Sequence, residues 1–394
     1  MPEIKKIVLR SGKVRYRTVV DVGRDAQGNR KQLTITRDKK SEVENEVSRI
    51  RHQRSTGQFI MPSKITVSEW IDQWLRKKAR DLEETTLHSY GLMVVHIHQG
   101  LGGVRLQELT EEDVEEWVEW LLTAARRRGG KAGTGLRPST AEGILGRLKE
   151  AMRAAVARKL VHTSVAQEVK IPRQAKKQDR RDNEKVKPWN VEEVRAFISG
   201  IKGDRLYAML LLSLMGLRPA EVAGMRWEDV DLTAGTVAVL NTRTMLGNLV
   251  VHEKDTKTTS GERTLPLPQE VWDALKRLKR RQARERLAAG EGYTDSPYVY
   301  VDELGVPCTT RDLREHAYKL MASVGLRRVR LYDARHSCLT YLANNGVPDH
   351  ILAAWAGHTN AAFTKAKYVH PDAEDLRPAA VVLDGLHRFP QAQV

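Results

Sequence analysis

From Arg330 to His370 the chain reads RLYDARHSCLTYLANNGVPDHILAAWAGHTNAAFTKAKYVH, and its apolar spacing limits what that stretch can become. Leu339, Leu342, Ile351, Leu352 and Trp355 recur at intervals of three and four, which predicts amphipathic helix with that face buried. Arg335, His336, His358 and Tyr368 are the polar groups this framework carries. Upstream, Leu206 to Met215 reads as an apolar helix ended by Gly216, and Pro219 suits the first position of the next helix. Arg218 then falls in the tight connection between two helices. A guanidinium is always charged and its planar fork fits phosphate oxygens. One from each region would clamp a single phosphodiester.

Charge points the same way. A net charge of +16 over 394 residues implies a polyanionic partner, nucleic acid first of all. Residues 1 to 40 hold twelve Lys or Arg against four Asp or Glu, half of the whole surplus in a tenth of the chain. Cys308 and Cys338 are the two cysteines, with no CxxC pair, which argues against a disulfide framework or structural zinc and suits a reducing cytoplasm. No HExxH, signal peptide or long apolar run suggests metal hydrolysis, export or membrane spanning.

The length predicts two or three domains. Lys6 to Leu9, Val14 to Val22 and Lys31 to Thr36 read as strands around a turn at residues 24 to 29, followed by a helix from about Ser41 to Arg54. Lys5, Lys13, Arg15, Arg17, Arg30 and Lys31 lie along that small sheet, which could enter a DNA groove or be a charged edge that resists aggregation. From Ile65 to about Ile171 the chain reads as helical. Thr66-Val-Ser-Glu69 and Thr110-Glu-Glu-Asp113 look like helix-opening caps, and Pro138 to Leu160 is a long helix with Ile144, Leu148, Met152 and Val156 inward. Trp70, Trp74 and Trp117 read as core residues before base-stacking ones. Arg126, Arg127 and Arg128 open a basic, Gly-rich loop suited to DNA contact.

Residues 172 to 188, with seven basic and three acidic residues between two prolines, read as an extended linker in which Lys176 and Lys177 track phosphates or simply keep it soluble. After Trp189, an Asn190-Val-Glu-Glu193 cap opens the last region. It contains one antiparallel section, Thr236 to Leu240, Leu249 to Val251 and Arg263 to Leu267, the last two joined by the loop Asp255 to Gly261. Helices resume at Pro268, where Lys276 to Arg281 gives a basic outer face, solvated first and a DNA contact second.

Arg218 in GLRPAEV, Lys257 in DTKTTSGERTLPLP, Tyr332-Asp-Ala-Arg335, Gly357-His358 and Tyr368 ten residues later together resemble the tyrosine recombinases of the lambda integrase type. That family's order is Arg, a hairpin Lys, His-x-x-Arg, Gly-His and a nucleophilic Tyr. Tyr332 departs from it, standing where the family has His or sometimes Lys. The resemblance implies a multidomain, mainly α protein: a small N-terminal β-sheet plus helix as arm-type DNA-binding domain (1–63), an all-helical core-binding domain (64–171), a basic linker (172–188) and a mixed α+β catalytic domain (189–394).

The resemblance also implies a transesterification without cofactor, ATP or metal. Tyr368 attacks phosphorus, the 5′ oxygen leaves, and a 3′-phosphotyrosyl link keeps the bond energy until another 5′ hydroxyl reverses the step. Arg218 and Arg335 stabilise the pentacoordinate phosphorus, His358 adds a hydrogen bond, and Lys257 is the general acid, with Lys254 as its rival. A phenol has a pKa of about 10, so Tyr332 is a poor base. Either it contacts phosphate, or His336 supplies an imidazole, or position 332 is itself the nucleophile. Glu221 and Asp333 are expected to orient neighbouring arginines or cap helices. Implied partners are double-stranded DNA attachment sites, a homotetramer on DNA, a host DNA-bending protein and an excisionase, on the nucleoid in a bacterial cytoplasm. The apolar patch Ala379 to Leu386 docks on a neighbour or folds back. A type IB topoisomerase and a non-catalytic DNA-binding regulator are the competing readings.

Overall fold

The computed structural model describes residues 2–24, 30–126, 130–131, 133–182, 187–247, 250–255 and 262–358. The chain divides into two compact units, Met1–Glu184 and Lys185–Val394.

The first unit opens with an antiparallel sheet in the order β1 (Lys5–Val8), β2 (Val14–Arg24), β3 (Arg30–Arg37). Side chains alternate across a strand, so Val20 of β2 and Ile35 of β3 turn inward and bury against Val43, Val47 and Ile50 of helix α1 (Lys40–Ser55). The register sets Lys5 opposite Arg17 and Ile7 opposite Arg15, which puts Lys5, Arg15 and Arg17 on the other face. The sheet-plus-helix expectation therefore holds, with each strand within two residues of its predicted ends.

Next come α2 (Val67–Lys78), α3 (Glu84–Leu101), α4 (Glu111–Thr123) and α5 (Pro138–Ala157). Both capping boxes form: Glu69 N donates to Thr66 Oγ1 at 3.2 Å, and Thr110 N to Asp113 Oδ2 at 2.9 Å. Trp70, Trp74 and Trp117 are buried among Ile97, Leu121, Ile144 and Leu148, and the Trp70 indole N–H donates to the Ala151 carbonyl at 3.0 Å. They are core residues, as their helical spacing indicated.

One expectation fails here. The stretch read as an extended linker is helical, α6 (Arg173–Asp182). Gln, Ala, Lys and Arg are good helix formers, and the proline before the helix costs it no hydrogen bond. Ion pairs stand in for the missing apolar stripe: Lys176 reaches Glu142 of α5 at 2.6 Å and Asp179 accepts from Arg137 at 3.1 Å.

The second unit begins with α7 (Val191–Gly200), capped by Asn190, whose Oδ1 accepts from Glu193 N at 2.8 Å. It continues with α8 (Tyr207–Leu214) and α9 (Pro219–Gly224). A second correction concerns the strands. β4 (Val230–Asp231), β5 (Thr236–Val239) and β8 (Arg263–Pro266) form one sheet in the order β4-β5-β8, while β6 (Asn241–Leu246) and β7 (Val250–Asp255) form a separate hairpin. The single section expected from sequence omitted β6, because Asn241-Thr-Arg-Thr shows no apolar alternation. Arg243 is the reason: it turns inward and donates to the Cys308 carbonyl at 2.5 Å and to Glu253 at 3.2 Å.

Helices α10 (Gln269–Ala289), α11 (Thr310–Ser323), α12 (Leu331–Asn344) and α13 (Asp349–Ala356) complete the unit. Along the basic run of α10, Leu278 is buried, Lys276 and Lys279 lie over the rings of Trp272 and Trp227, and Arg277 and Arg281 pair with Glu270 and Glu285. Leu210, Leu212, Leu217, Val237, Leu275 and Leu313 lie in the apolar core. On α13 the buried face is Leu352, Ala353 and Ala356, whereas Ile351, expected inward, is 46% exposed. Leu352, Ala353 and Ala356 lie at spacings of one, three and four on one face, and Ile351, one residue before Leu352, points away from it.

Candidate active site

The α8–α9 turn, β8, α12 and the end of α13 bring the site residues together. Gly216 ends α8 with φ +102°, a conformation that favours glycine. Arg218 then caps α9 from outside, with its backbone N–H donating to Glu221 Oε2 at 2.8 Å. The Arg218 side chain donates through Nη1 to Glu221 Oε1 at 2.6 Å and through Nη2 to the Gly357 carbonyl at 3.2 Å. It stays 32% exposed while Glu221 is nearly closed off at 2%.

Arg335 reaches the same place from α12. Its guanidinium, fully buried at 0%, donates to the Gly216 carbonyl at 2.5 Å, to the Ala356 carbonyl, and to His358 Nε2 at 3.0 Å. Because arginine can only donate, His358 Nε2 is the acceptor of that hydrogen bond.

Helix α13 ends in a way that aims these acceptors. Gly357 is left-handed at φ +62°, its N–H returns to the Ala354 carbonyl at 3.1 Å, and His358 N–H returns to the Ala353 carbonyl at 3.0 Å. The Ala356 and Gly357 carbonyls, at the negative end of the helix dipole, are thus left to the two arginines. The turn is braced from the other side by the Trp355 indole N–H and the Cys338 thiol, which donate to the Met215 carbonyl at 2.9 and 3.2 Å. Burial pushes the Cys338 thiol up to about 12, so it remains a neutral donor.

Sequence reasoning missed Arg263. This β8 residue is buried, and it donates through Nη1 and Nη2 to Glu221 at 3.2 and 3.0 Å and through Nε to the Trp355 carbonyl at 2.8 Å. Burial alone would raise the Glu221 carboxyl, but the Arg263 and Arg218 guanidiniums more than offset it and hold it below the usual carboxylate range. The signal was present: Arg263 lies two residues before the buried Leu265 and so shares its inward face.

Glu221 and Asp333 both cap helices and orient arginines, as expected. Asp333 takes the Arg330 N–H at 3.0 Å and its guanidinium at 3.0 and 2.9 Å, so the arginine it orients is Arg330. Tyr332 lies at the exposed start of α12, edge-on to the His336 ring with centroids 5.1 Å apart. The Lys254 backbone pairs with Thr242 in the β6–β7 hairpin. Lys257, Tyr368 and the Ala379 to Leu386 patch lie outside the described residues.

The candidate DNA-binding residues fall into two groups. Lys5, Arg17, Arg30 and Lys31 are exposed on the first sheet, as are Arg126 at the start of its loop and Lys177 on α6. Lys13 and Arg15 each reach Asp38 at 2.7 Å, and their hydrogen bonds lower its carboxyl to about 2. Lys176 is directed at Glu142. Arg127 and Arg128 lie outside the described residues.

A fully buried arginine and a second, part-exposed one thus converge on consecutive carbonyls of a helix end. Residues 190–375 match the phage integrase family and residues 66–122 match the phage integrase N-terminal SAM-like domain. The chain is 24% identical over 388 residues to an integrase of Streptomyces ambofaciens, covering 95% of this chain and 94% of that one. An integrase of Saccharopolyspora erythraea is 23% identical over 90% of each chain. Among solved structures, the Tn1549 transposon integrase in complex with a circular intermediate DNA is similar with a TM-score of 0.65 and 20% identity, over 81% of this chain and 99% of that one. A lambda integrase dimer bound to a COC′ core site gives a TM-score of 0.55 and 15% identity, over 93% and 96%. The chain belongs to the phage integrase family of tyrosine recombinases. Its activity is site-specific recombination. Among the described residues no helix is long and apolar enough to cross a membrane.

Proposed function

We propose that this recombinase breaks and rejoins DNA through a 3′-phosphotyrosyl intermediate on Tyr368, to integrate or excise a phage or other mobile element. The observation that carries the reading is the meeting of Arg218 and Arg335 on the Gly357 and Ala356 carbonyls, directly before His358, which itself lies ten residues before Tyr368. As the Tyr368 oxygen adds to phosphorus, negative charge grows on the nonbridging oxygens, and the Arg218 and Arg335 guanidiniums stabilise it. The Tyr368 phenol releases its proton to water as it attacks, Lys257 gives its proton to the departing 5′ oxygen, and His358 hydrogen-bonds the phosphate. Tyr332, exposed at the start of α12, contacts the phosphate or the adjacent backbone rather than acting as a base.

The chain acts in three modules joined by a basic segment, residues 1–63, 64–171, 172–188 and 189–394. The first holds DNA through Lys5, Arg17, Arg30 and Lys31, the second through the loop that Arg126 opens, and the third cuts. Four copies assemble on paired sites, with a DNA-bending protein and an excisionase setting direction, on the nucleoid of a bacterial cytoplasm. The test is a nicked duplex from which the cleaved fragment diffuses away. The parent protein accumulates a covalent adduct, and Tyr368→Phe gives none while binding the same DNA within about threefold. An adduct that survives that substitution overturns the assignment.

A further inference from the structure

The charge balance beneath Arg218 raises a problem that Arg263 resolves. Glu221 is buried, accepts from the Arg218 side chain at 2.6 Å and from its backbone at 2.8 Å, and by itself cancels the charge that a phosphate would meet. Arg263 lies on the far side of the same carboxylate, bonded to both its oxygens and anchored to the Trp355 carbonyl at 2.8 Å. Two guanidiniums on one carboxylate leave one positive charge over. Since Arg263 is buried at 7% and Arg218 is not, that surplus is presented through Arg218.

We propose that Arg263 is a positioning residue for strand cleavage, which neutralises Glu221 so that Glu221 orients Arg218 without quenching it. The carboxylate supplies direction, the buried guanidinium supplies the counter-charge, and the exposed guanidinium keeps its full charge for the phosphate. The Trp355 contact adds a mechanical link, because Trp355 is two residues before the Gly357 carbonyl that Arg218 also uses. This inference rests on the reading of Arg218 as a phosphate ligand.

A merely structural Arg263 and an electrostatic one differ in what a second substitution does. Arg263→Gln leaves Glu221 facing Arg218 alone, a balance of zero, whereas Arg263→Gln with Glu221→Gln restores the single surplus charge through a neutral amide pair of similar shape. The experiment measures single-turnover cleavage of a nicked duplex at saturating protein, with DNA affinity and melting temperature recorded for each variant. Arg263→Gln is expected to cleave roughly tenfold to a hundredfold more slowly, since one charged contribution to the transition state is cancelled. Its DNA affinity stays within about threefold of the parent, and the double variant recovers at least about tenfold of the loss. Arg263→Lys, which keeps the charge, is expected to cleave faster than Arg263→Gln, and Arg263→Met with and without Glu221→Gln replaces the glutamine pair if that variant does not fold.

Arg263→Gln cleaving within about threefold of the parent, or a double variant no faster than Arg263→Gln alone, overturns the proposal. If the methionine pair is used, the same two outcomes overturn it. Arg218→Gln in the same assay keeps the two claims apart: if that variant cleaves as fast as the parent, the phosphate-clamp reading itself fails.

Discussion

The first sheet and the catalytic unit both concentrate basic side chains, and they hold them in opposite ways. On the sheet, Lys5, Arg17, Arg30 and Lys31 are exposed, and Lys13 and Arg15 share Asp38 at the surface. In the catalytic unit, Arg335 and Arg263 are buried with their forks bonded to carbonyls or a carboxylate. Exposed cations exchange counterions with a polyanion and are screened by salt. Buried, fixed cations cost desolvation to install, and in return they stand ready for a charge that exists only in the transition state. On the function proposed above, basic side chains serve affinity in one region and rate in the other.

The largest effect that would break this contrast belongs to Arg335. Arg335→Gln is expected to lower single-turnover cleavage by about a thousandfold. It also strands the Gly216 and Ala356 carbonyls at a cost of about 1–3 kcal/mol each, read as a lower melting temperature. A cleaving, equally stable variant would show that burial serves no purpose here.

A smaller effect follows at Gly357. Its left-handed backbone at φ +62° makes Gly357→Ala cost about 1 kcal/mol and tilt the carbonyl that Arg218 uses. Cleavage is expected to fall about tenfold with DNA affinity unchanged. A loss of binding with cleavage intact would place Gly357 in the affinity system instead.

On the sheet the expected changes are in salt dependence. Replacing Lys5 or Arg17 by Ala should reduce the slope of log affinity against log salt by about 0.9 each and leave the cleavage rate of bound DNA alone. An unchanged slope for both would mean that the sheet is a solvated edge.

The smallest effect concerns Asp38. Its carboxyl is lowered from 3.8 to about 2 by the hydrogen bonds of Lys13 and Arg15, so the folded state favours the ionised form. That contribution is present above pH 3.8 and is lost as the pH falls through about 2. A carbon-13 titration of the Asp38 carboxyl in the full chain should show that midpoint, and Arg15→Ala should move it upward.

How much of this was legible in the sequence depends on what holds each part. Helix caps at Thr66, Thr110 and Asn190, the glycine that ends α8 and the proline that starts α9 rest on local rules, and they could be read directly. Arg218, Arg335 and His358 were found by motif, and the structure brings them together. The failures share a cause. Reading from periodicity assumes that charges face water, so the inward Arg243 concealed β6 and the inward Arg263 passed as an ordinary strand residue. α6 was read as linker because ion pairs to α5, rather than an apolar stripe, anchor it.

The central claim is that two arginines from distant parts of the chain hold one phosphate, and a structure of the Tyr368→Phe variant bound to an intact duplex tests it most directly. The account predicts that the Arg218 and Arg335 guanidiniums both lie within hydrogen-bond distance of nonbridging oxygens of the same phosphodiester, with residue 368 facing its phosphorus. Guanidiniums on two different phosphates, or an Arg335 still closed on its carbonyls with no phosphate beside it, would contradict it.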